Sequence, residues 1–347
     1  MSGVDITTEL VKNVQEDGEF GWTGELCKHL KERDIDYKIK FIHLTPDMYP
    51  KYMENDKYNI GHLFWETDRL PKEWIAPCNK MQEIWTASEQ QAKMIRDSGV
   101  TIPINWFPQP IDISEDFRSV KPYTIPGFTG VIFYSIFQWI DRKNPFALLR
   151  SFWKEFEGVK DVCLVIKTHG VNFSEGQFES IKKSISDWKA GLNLSNPPRV
   201  MLVKNLMNTE DMFRLHKTGN CLVCPSRGEG WCIPVAEALL TGNSVIGIDK
   251  TGIFDLLKKD EYLSCSTSVD KVMKAPAISW YYPPQQWLEI SQPELQSNMR
   301  KVYESVKSND SGYRDMILRG QRRVKEDFNY QSVGVMMLKR LKEIYEK

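Results

Sequence analysis

The chain has 347 residues, 41% apolar and 27% charged, with 46 basic and 46 acidic side chains. That length and balance fit a soluble globular protein with two cores, and the zero formal charge removes the electrostatic argument for non-specific nucleic-acid binding. No run reaches the ~20 apolar residues of a membrane span, the first residues lack the segments of a secretory signal, and seven irregularly spaced cysteines read as reduced thiols of a cytoplasmic protein.

Residues 4–15 and 23–33 have the apolar spacing of amphipathic helices. Between them Gly18, Gly21 and Gly24 mark a glycine-rich turn, and no strand precedes it. Residues 37–44 read as a strand. A second strand from residue 59 runs into the polar loop Trp65-Glu66-Thr67-Asp68-Arg69-Leu70-Pro71. His62 reads as a core histidine, and Thr67 or Asp68 can cap a helix with Arg69 paired locally. Residues 105–112 form a further strand with a proline-rich end. Residues 113–127, polar and carrying Pro122, Pro126 and Gly127, read as the linker between domains. Residues 1–112 carry 13 Lys/Arg against 19 Asp/Glu, a balance of −6, so the remainder carries +6. A basic second half suits an anionic ligand.

The second half alternates strands and helices. Residues 130–137 form a buried strand, followed by the loop Gln138-Trp139-Ile140-Asp141-Arg142-Lys143-Asn144 and a helix from Pro145 to about Phe156. Strands at 162–167 and 200–203 flank an amphipathic helix at 174–192, and a short helix covers 210–216. Then comes the densest stretch, Cys224-Pro225-Ser226-Arg227-Gly228-Glu229-Gly230-Trp231-Cys232-Ile233-Pro234-Val235-Ala236-Glu237-Ala238. An apolar strand at 221–224 leads into a glycine-bearing loop. Pro234 opens a helix, Gly242 closes it, and an apolar β-branched strand follows at 244–248. This is a βαβ unit whose loop lies at the carboxyl end of its first strand, the edge where open α/β sheets bind ligands.

The helix N-terminus and the loop N–H groups attract a diphosphate. A carboxylate beside that anion is repelled, so Glu237 suits the vicinal hydroxyls of a ribose and Glu229 the hydroxyls of a sugar. The alternative is a solvated helix glutamate and a loop charge. Cys221 and Cys224 form C-x-x-C, but on a strand they point to opposite faces, and Asp34-x-Asp36 lies in a charged helix-end turn. No metal site is expected. Trp280, Tyr281, Tyr282 and Trp287 read as core packing, and helices at 294–306, 313–326 and 332–346 end the chain.

The Glu229-to-Glu237 stretch resembles the Glu-x7-Glu motif of retaining GT-B glycosyltransferases, in particular glycosyltransferase family 4 (glycosyl transferases group 1), whose usual form is E-G-[FW]-G-L-P-x-x-E-A. The W-E-T-D-R-L-P run and the later E-I-W and S-E are similar to a bacterial and phage branch of it. The likeness extends from about Gly18 to the C-terminus. It implies an α/β GT-B fold: two Rossmann-like doubly wound domains facing across a cleft, at 1–112 and 128–331, with 332–347 a closing helix packing back on the first. The first strand that the family would place before Gly21 is missing or the start lies elsewhere.

The resemblance also implies a function: transfer of a sugar from a UDP- or GDP-sugar to a hydroxyl, with retention of configuration and without metal or other cofactor. Lys143 matches the family lysine that clamps the diphosphate. Gln138 stands where the family has arginine, so Arg142 or the helix N-terminus compensates. Glu229, Gly230, Trp231, Cys232, Ile233 and Glu237 become donor-binding, with Asn205 beside the base. Glu66, Thr67, Asp68 and Gly21 become acceptor-side residues, although the loop bearing Gly21 is equally readable as a plain turn. Cys232 replaces the family's usual glycine. The partners implied are a nucleotide-sugar and a glycan, lipid-linked or other hydroxyl acceptor. A modified DNA base is a second acceptor class, and a non-catalytic GT-B-shaped protein that binds a sugar nucleotide or glycan is the rival reading.

Overall fold

The computed structural model describes residues 33–113, 119–272 and 279–346; the helix expected at 4–15, all but Arg33 of the helix expected at 23–33, and the turn containing Gly21 lie outside them. The first lobe has strands β1 (Ile39–His43), β2 (Tyr58–His62), β3 (Glu83–Thr86) and β4 (Ile104–Trp106), all parallel and in sequence order across the sheet. Helices α1 (Tyr49–Tyr52), α2 (Lys72–Cys78) and α3 (Glu89–Asp97) connect them. Ser88 starts α3 by accepting a hydrogen bond from the Gln91 N–H, with Glu89 in the first turn, which favours the positive end of the helix.

The second lobe runs β5 (Val131–Gln138), α4 (Pro145–Glu155), β6 (Val162–His169), α5 (Glu175–Gly191), β7 (Arg199–Val203), α6 (Thr209–Thr218), β8 (Cys221–Cys224), α7 (Ile233–Leu240), β9 (Ser244–Ile248) and β10 (Leu263–Cys265). Its strands form one parallel sheet in the order β10-β9-β8-β5-β6-β7. Near-continuous apolar runs such as Val162 to Ile166 are buried on both faces, as a helix-covered parallel sheet requires.

The order reverses between β5 and β8, and that point positions the site. β5 pairs with β6 over eight residues, but with β8 only at Phe133↔Cys221 and Tyr134↔Leu222. Beyond Tyr134 the Ser135 hydroxyl donates to the Val223 carbonyl at 2.6 Å in place of a ladder bond. A crevice therefore opens at the carboxyl ends of these two strands.

Two later segments return to the first lobe. Strands β11 (Thr267–Lys271) and β12 (Gln286–Ile290) form an antiparallel hairpin. Val272, Tyr281 and Trp287 from this region are buried in one cluster with Trp65, Leu70 and Trp74. The Tyr281 ring sits 5.0 Å from Trp65 and 5.5 Å from Trp287. Helices α8 (Gln292–Ser308) and α9 (Ser311–Asp327) complete the second lobe, and α10 (Tyr330–Tyr345) crosses over. Its Met337, Leu341 and Ile344 pack on Ile60 and Trp85, and Arg340 Nη2 reaches the fully buried Glu83 at 2.6 Å.

Candidate functional site at the strand-order reversal

Two loops meet over the crevice. Residues 139–144 leave β5, with Asn144 in the left-handed region at φ 54° and its side chain capping α4. Residues 225–232 leave β8. They are joined by the Arg227 N–H donating to the Arg142 carbonyl at 2.7 Å, and by Arg142 Nη1 donating to the Gly228 carbonyl at 2.7 Å. The second loop also abuts the first lobe. A Cβ on Gly228 would lie 1.9 Å from the Glu66 carbonyl oxygen, and one on Gly230 would lie 2.8 Å from Phe64 Cβ. Only glycine permits that approach. Gln91 Nε2 donates to the Gly230 carbonyl, so the loop is held from both lobes.

The charged groups here form one network. Lys143 Nζ donates to Glu229 Oε1 at 2.6 Å, and Arg142 Nη1 lies 3.3 Å from Glu229 Oε2. Arg142 Nη2 is 3.6 Å from Glu66 Oε1, and the Tyr281 hydroxyl donates to Glu66 Oε2 at 2.8 Å. Burial pushes the Glu229 carboxyl up, but Lys143 and Arg142 outweigh it and hold its pKa at about 2. Burial likewise opposes charge on Arg142 and Lys143. Glu66 and Glu229 raise the guanidinium above its ordinary value, and Glu229 raises the ammonium. Arg142 Nε is buried without a hydrogen-bond partner among the described residues. A donor left open in such a place is the natural contact for an added anion.

Glu237, one turn into α7, is oriented by a relay from the core. Asn243 Nδ2 donates to the Tyr134 oxygen at 2.8 Å. The Tyr134 hydroxyl is 2.7 Å from His216 Nδ1, and His216 Nε2 is 3.2 Å from Glu237 Oε2. The Tyr134 hydroxyl, accepting from Asn243, has its own proton to offer to Nδ1. In the tautomer with its proton on Nε2, His216 accepts at Nδ1 and donates to Glu237.

Cys232 caps α7 at φ 85° and ψ 72°, a left-handed conformation that costs a residue with a side chain about 1 kcal/mol or more. Its sulfur lies 3.6 Å from Cys224 Sγ. Cys224, Glu229 and Cys232 offer ligand atoms within 4.8 Å of one another. Both carboxylate oxygens already face cations, though, so the set does not resemble a prepared metal cage. The free space at the floor, lined by Ser135, Lys143, Cys224, Glu229, Cys232 and Pro234 among others, is about 10 Å³.

The remaining candidates divide clearly. Lys143, Arg142, Glu229, Cys232 and Glu66 come together. Gly230 is buried under Phe64, while Trp231 is 4% exposed, its ring 5.3 Å edge-on from Phe328 and its carbonyl accepting from the Ile253 N–H. Ile233 is 45% exposed on the first turn of α7. Asn205 is exposed beyond β7, two strands or about 10 Å to the side of β5. Thr67 is buried between the Trp65 indole and the Arg69 carbonyl. Asp68 accepts from Arg69 and from the Gln286 N–H. Neither caps α2, whose N-cap is Pro71. Half-buried His62 lies 2.7 Å from His43, ring nitrogen to ring nitrogen, and burial first, then His43, lowers its pKa to about 3. Gly21 is outside the described residues. Tyr281 lies in the core, as the sequence suggests, but its bond to Glu66, 215 residues away, and the role of His216 were not foreseen. No local signal marks either.

No protein-family model and no curated protein matches the chain. Solved structures do. Sucrose-phosphate synthase from Thermosynechococcus elongatus superposes with a TM-score of 0.63 at 12% identity, over 89% of this chain and 74% of that one. A TarM variant from S. aureus, in complex with fondaparinux, alpha-GlcNAc-glycerol and UDP, gives 0.60 at 15% identity, over 85% of this chain. Anabaena HepE with UDP and glucose gives 0.58 at 10%, over 83% and 72%. The fold is GT-B. Its two Rossmann-like domains are the lobes described above. The chain spans 53% of the TarM length, and identities this low speak to the fold alone. Among the described residues, no helix is long and apolar enough to cross a membrane.

Proposed function

We propose that the protein is a glycosyltransferase that takes a sugar from a UDP- or GDP-sugar and attaches it to a hydroxyl with retention of anomeric configuration, in the manner of glycosyltransferase family 4. The observation that carries this reading is the pair Arg142 and Lys143 at the strand-order reversal, beside the N-terminus of α7, with Arg142 Nε buried and unpartnered among the described residues. The UDP present in complexes of the TarM variant and of HepE is consistent with it.

The chemistry asks for charge stabilisation on a departing diphosphate more than for a strong base. Two cations and two carboxylates leave the network near neutral, so an arriving diphosphate takes contacts from Lys143 and Arg142 that Glu229 and Glu66 now hold. Freed in part, Glu229 accepts from the sugar hydroxyls. Glu237, oriented by His216, accepts from the ribose. A floor of about 10 Å³ admits no nucleoside, so ribose and base lie along the open rim past Ile233 and towards Asn205. The acceptor, a glycan, a lipid-linked sugar or another hydroxyl compound, approaches from the Glu66 side, and no metal or other cofactor takes part.

Thermal-shift titration with UDP, GDP and their sugar conjugates tests the donor, and NMR of the product anomer tests retention. Stabilisation by one nucleotide and an unchanged anomeric configuration are expected; an inverted product overturns retention. The small floor and the Cys232 side chain favour a second reading, a non-catalytic GT-B-shaped protein that binds a sugar nucleotide or glycan. Hydrolysis or transfer of a bound nucleotide-sugar excludes it.

A further inference from the structure

We propose that Cys224 and Cys232 are a site of reversible oxidative modification, closing to a disulfide that reshapes the cradle at the start of α7. Their sulfurs are 3.6 Å apart, in contact but unbonded, and both line the crevice floor with Lys143 and Glu229. Cys224 is anchored in β8 and buried, whereas Cys232 is partly exposed at the loop end, so a small oxidant reaches the pair from the Cys232 side. The hydrogen bond from Cys232 holds the Cys224 thiol below its ordinary pKa, with the Lys143 ammonium adding to the effect. A thiolate, not a thiol, is the nucleophile in such chemistry. The same neighbouring cations that favour a thiolate oppose a bound metal ion. Among the described residues only the Cys224 thiol is so lowered: the hydrogen bond to Cys224 and burial push the Cys232 thiol up, and burial pushes those of Cys78, Cys221 and Cys265 up to about 12 and that of Cys163 to about 11.

With hydrogen peroxide as oxidant the step balances. One thiolate attacks a peroxide oxygen, the O–O bond breaks, a sulfenic acid forms, and the departing hydroxide takes the proton that the thiol had released to become water. The second thiol attacks that sulfur, the S–S bond forms and a second water leaves. The two electrons lost by the thiols reduce the peroxide, and a dithiol reverses the change. Closing the sulfurs to ~2.05 Å moves the residue that caps α7 and closes a ring around the loop bearing Glu229. The consequence for nucleotide affinity rests on the proposed donor site; the disulfide itself does not.

The test treats the full chain with hydrogen peroxide or with dithiothreitol, alkylates it, and maps peptides by mass spectrometry. A linked Cys224–Cys232 peptide that dithiothreitol removes is expected. UDP affinity should fall on oxidation by about fivefold or more, the worth of one or two amide-to-phosphate hydrogen bonds, and recover on reduction. In Cys224→Ala and Cys232→Ala the redox dependence should vanish, whatever their basal affinity. Both thiols still alkylated after peroxide, or Cys232 driven to sulfinic acid beside a free Cys224, overturns the proposal on the unmodified chain alone, even should either variant fail to fold. A chain that binds no nucleotide in either state while the linked peptide forms overturns the donor site and leaves the modification standing.

Discussion

The contacts of Arg340 with Glu83 and of Arg142 with Glu229 both join distant parts of this chain at a buried carboxylate, and they differ in how completely they are satisfied. Where α10 crosses to the first lobe, Glu83 receives Arg340 Nη2 at 2.6 Å, the Tyr58 hydroxyl at 3.2 Å and the Trp85 indole N–H. In the crevice, Arg142 meets Glu229 at 3.3 Å and Glu66 only at 3.6 Å, and one of its donors has no partner among the described residues. The first contact is a finished structural joint. The second is loose and pairs cations with carboxylates that an anion can replace. Residue types alone do not separate a clamp from a binding site; the unfilled hydrogen-bonding capacity does.

The contrast can be broken by exchanging roles. Arg142→Ala should lower sugar transfer about a thousandfold, as loss of a buried charge stabiliser does, and should also lower the denaturation midpoint because Glu229 and Glu66 lose a partner. Transfer kinetics within tenfold of the unmodified protein would falsify the site. Arg340→Ala should do the reverse, removing about 3–5 kcal/mol of stability by stranding Glu83, with turnover unchanged where the protein remains folded. A specific loss of turnover would make that joint more than structural.

Smaller effects sharpen the picture. Lys143→Ala should reduce turnover about a hundredfold with little change in far-UV circular dichroism. Glu237→Ala should weaken nucleotide binding about tenfold, as expected for two hydroxyl contacts, read by calorimetry; unaltered affinity removes its ribose role. Finally, Glu229 has a folded pKa of about 2 against an ordinary 4.5. Its ion pairs therefore stabilise fully above pH 4.5, and that contribution is lost as pH falls towards 2. Acid titration of Glu229→Gln should show a shallower loss of stability over this window than the unmodified chain, and equal slopes would mean Glu229 is not the group titrating.

Much of the second lobe is legible from periodicity. Strands β5, β6 and β8 and helices α4, α5 and α9 lie within about two residues of the expected spans, because buried parallel strands are continuous apolar runs and their helices carry clear start and stop signals. Helix α7 begins at Ile233, with Pro234 second rather than first. The β11–β12 hairpin was not foreseen. Residues Thr267 to Lys271 are mostly polar and exposed, so no apolar alternation marks them, and their strand conformation comes from the partner they meet. Within the site, the clustering of Lys143 with Glu229 was not legible either. The sequence suggested separate duties, diphosphate for one and sugar for the other, whereas across 86 residues the fold brings them to 2.6 Å.

Local rules of backbone and burial determine which segments become strands, which loops carry glycine and where the cations and acids stand along the chain. Those rules act over a few residues. Tertiary structure alone decided that a hairpin from the second half would fill the first lobe's core, that Tyr281 would hold Glu66, and that Cys232 would turn towards Cys224. Contacts of this kind depend on distances set by the whole sheet order, which no short-range pattern contains.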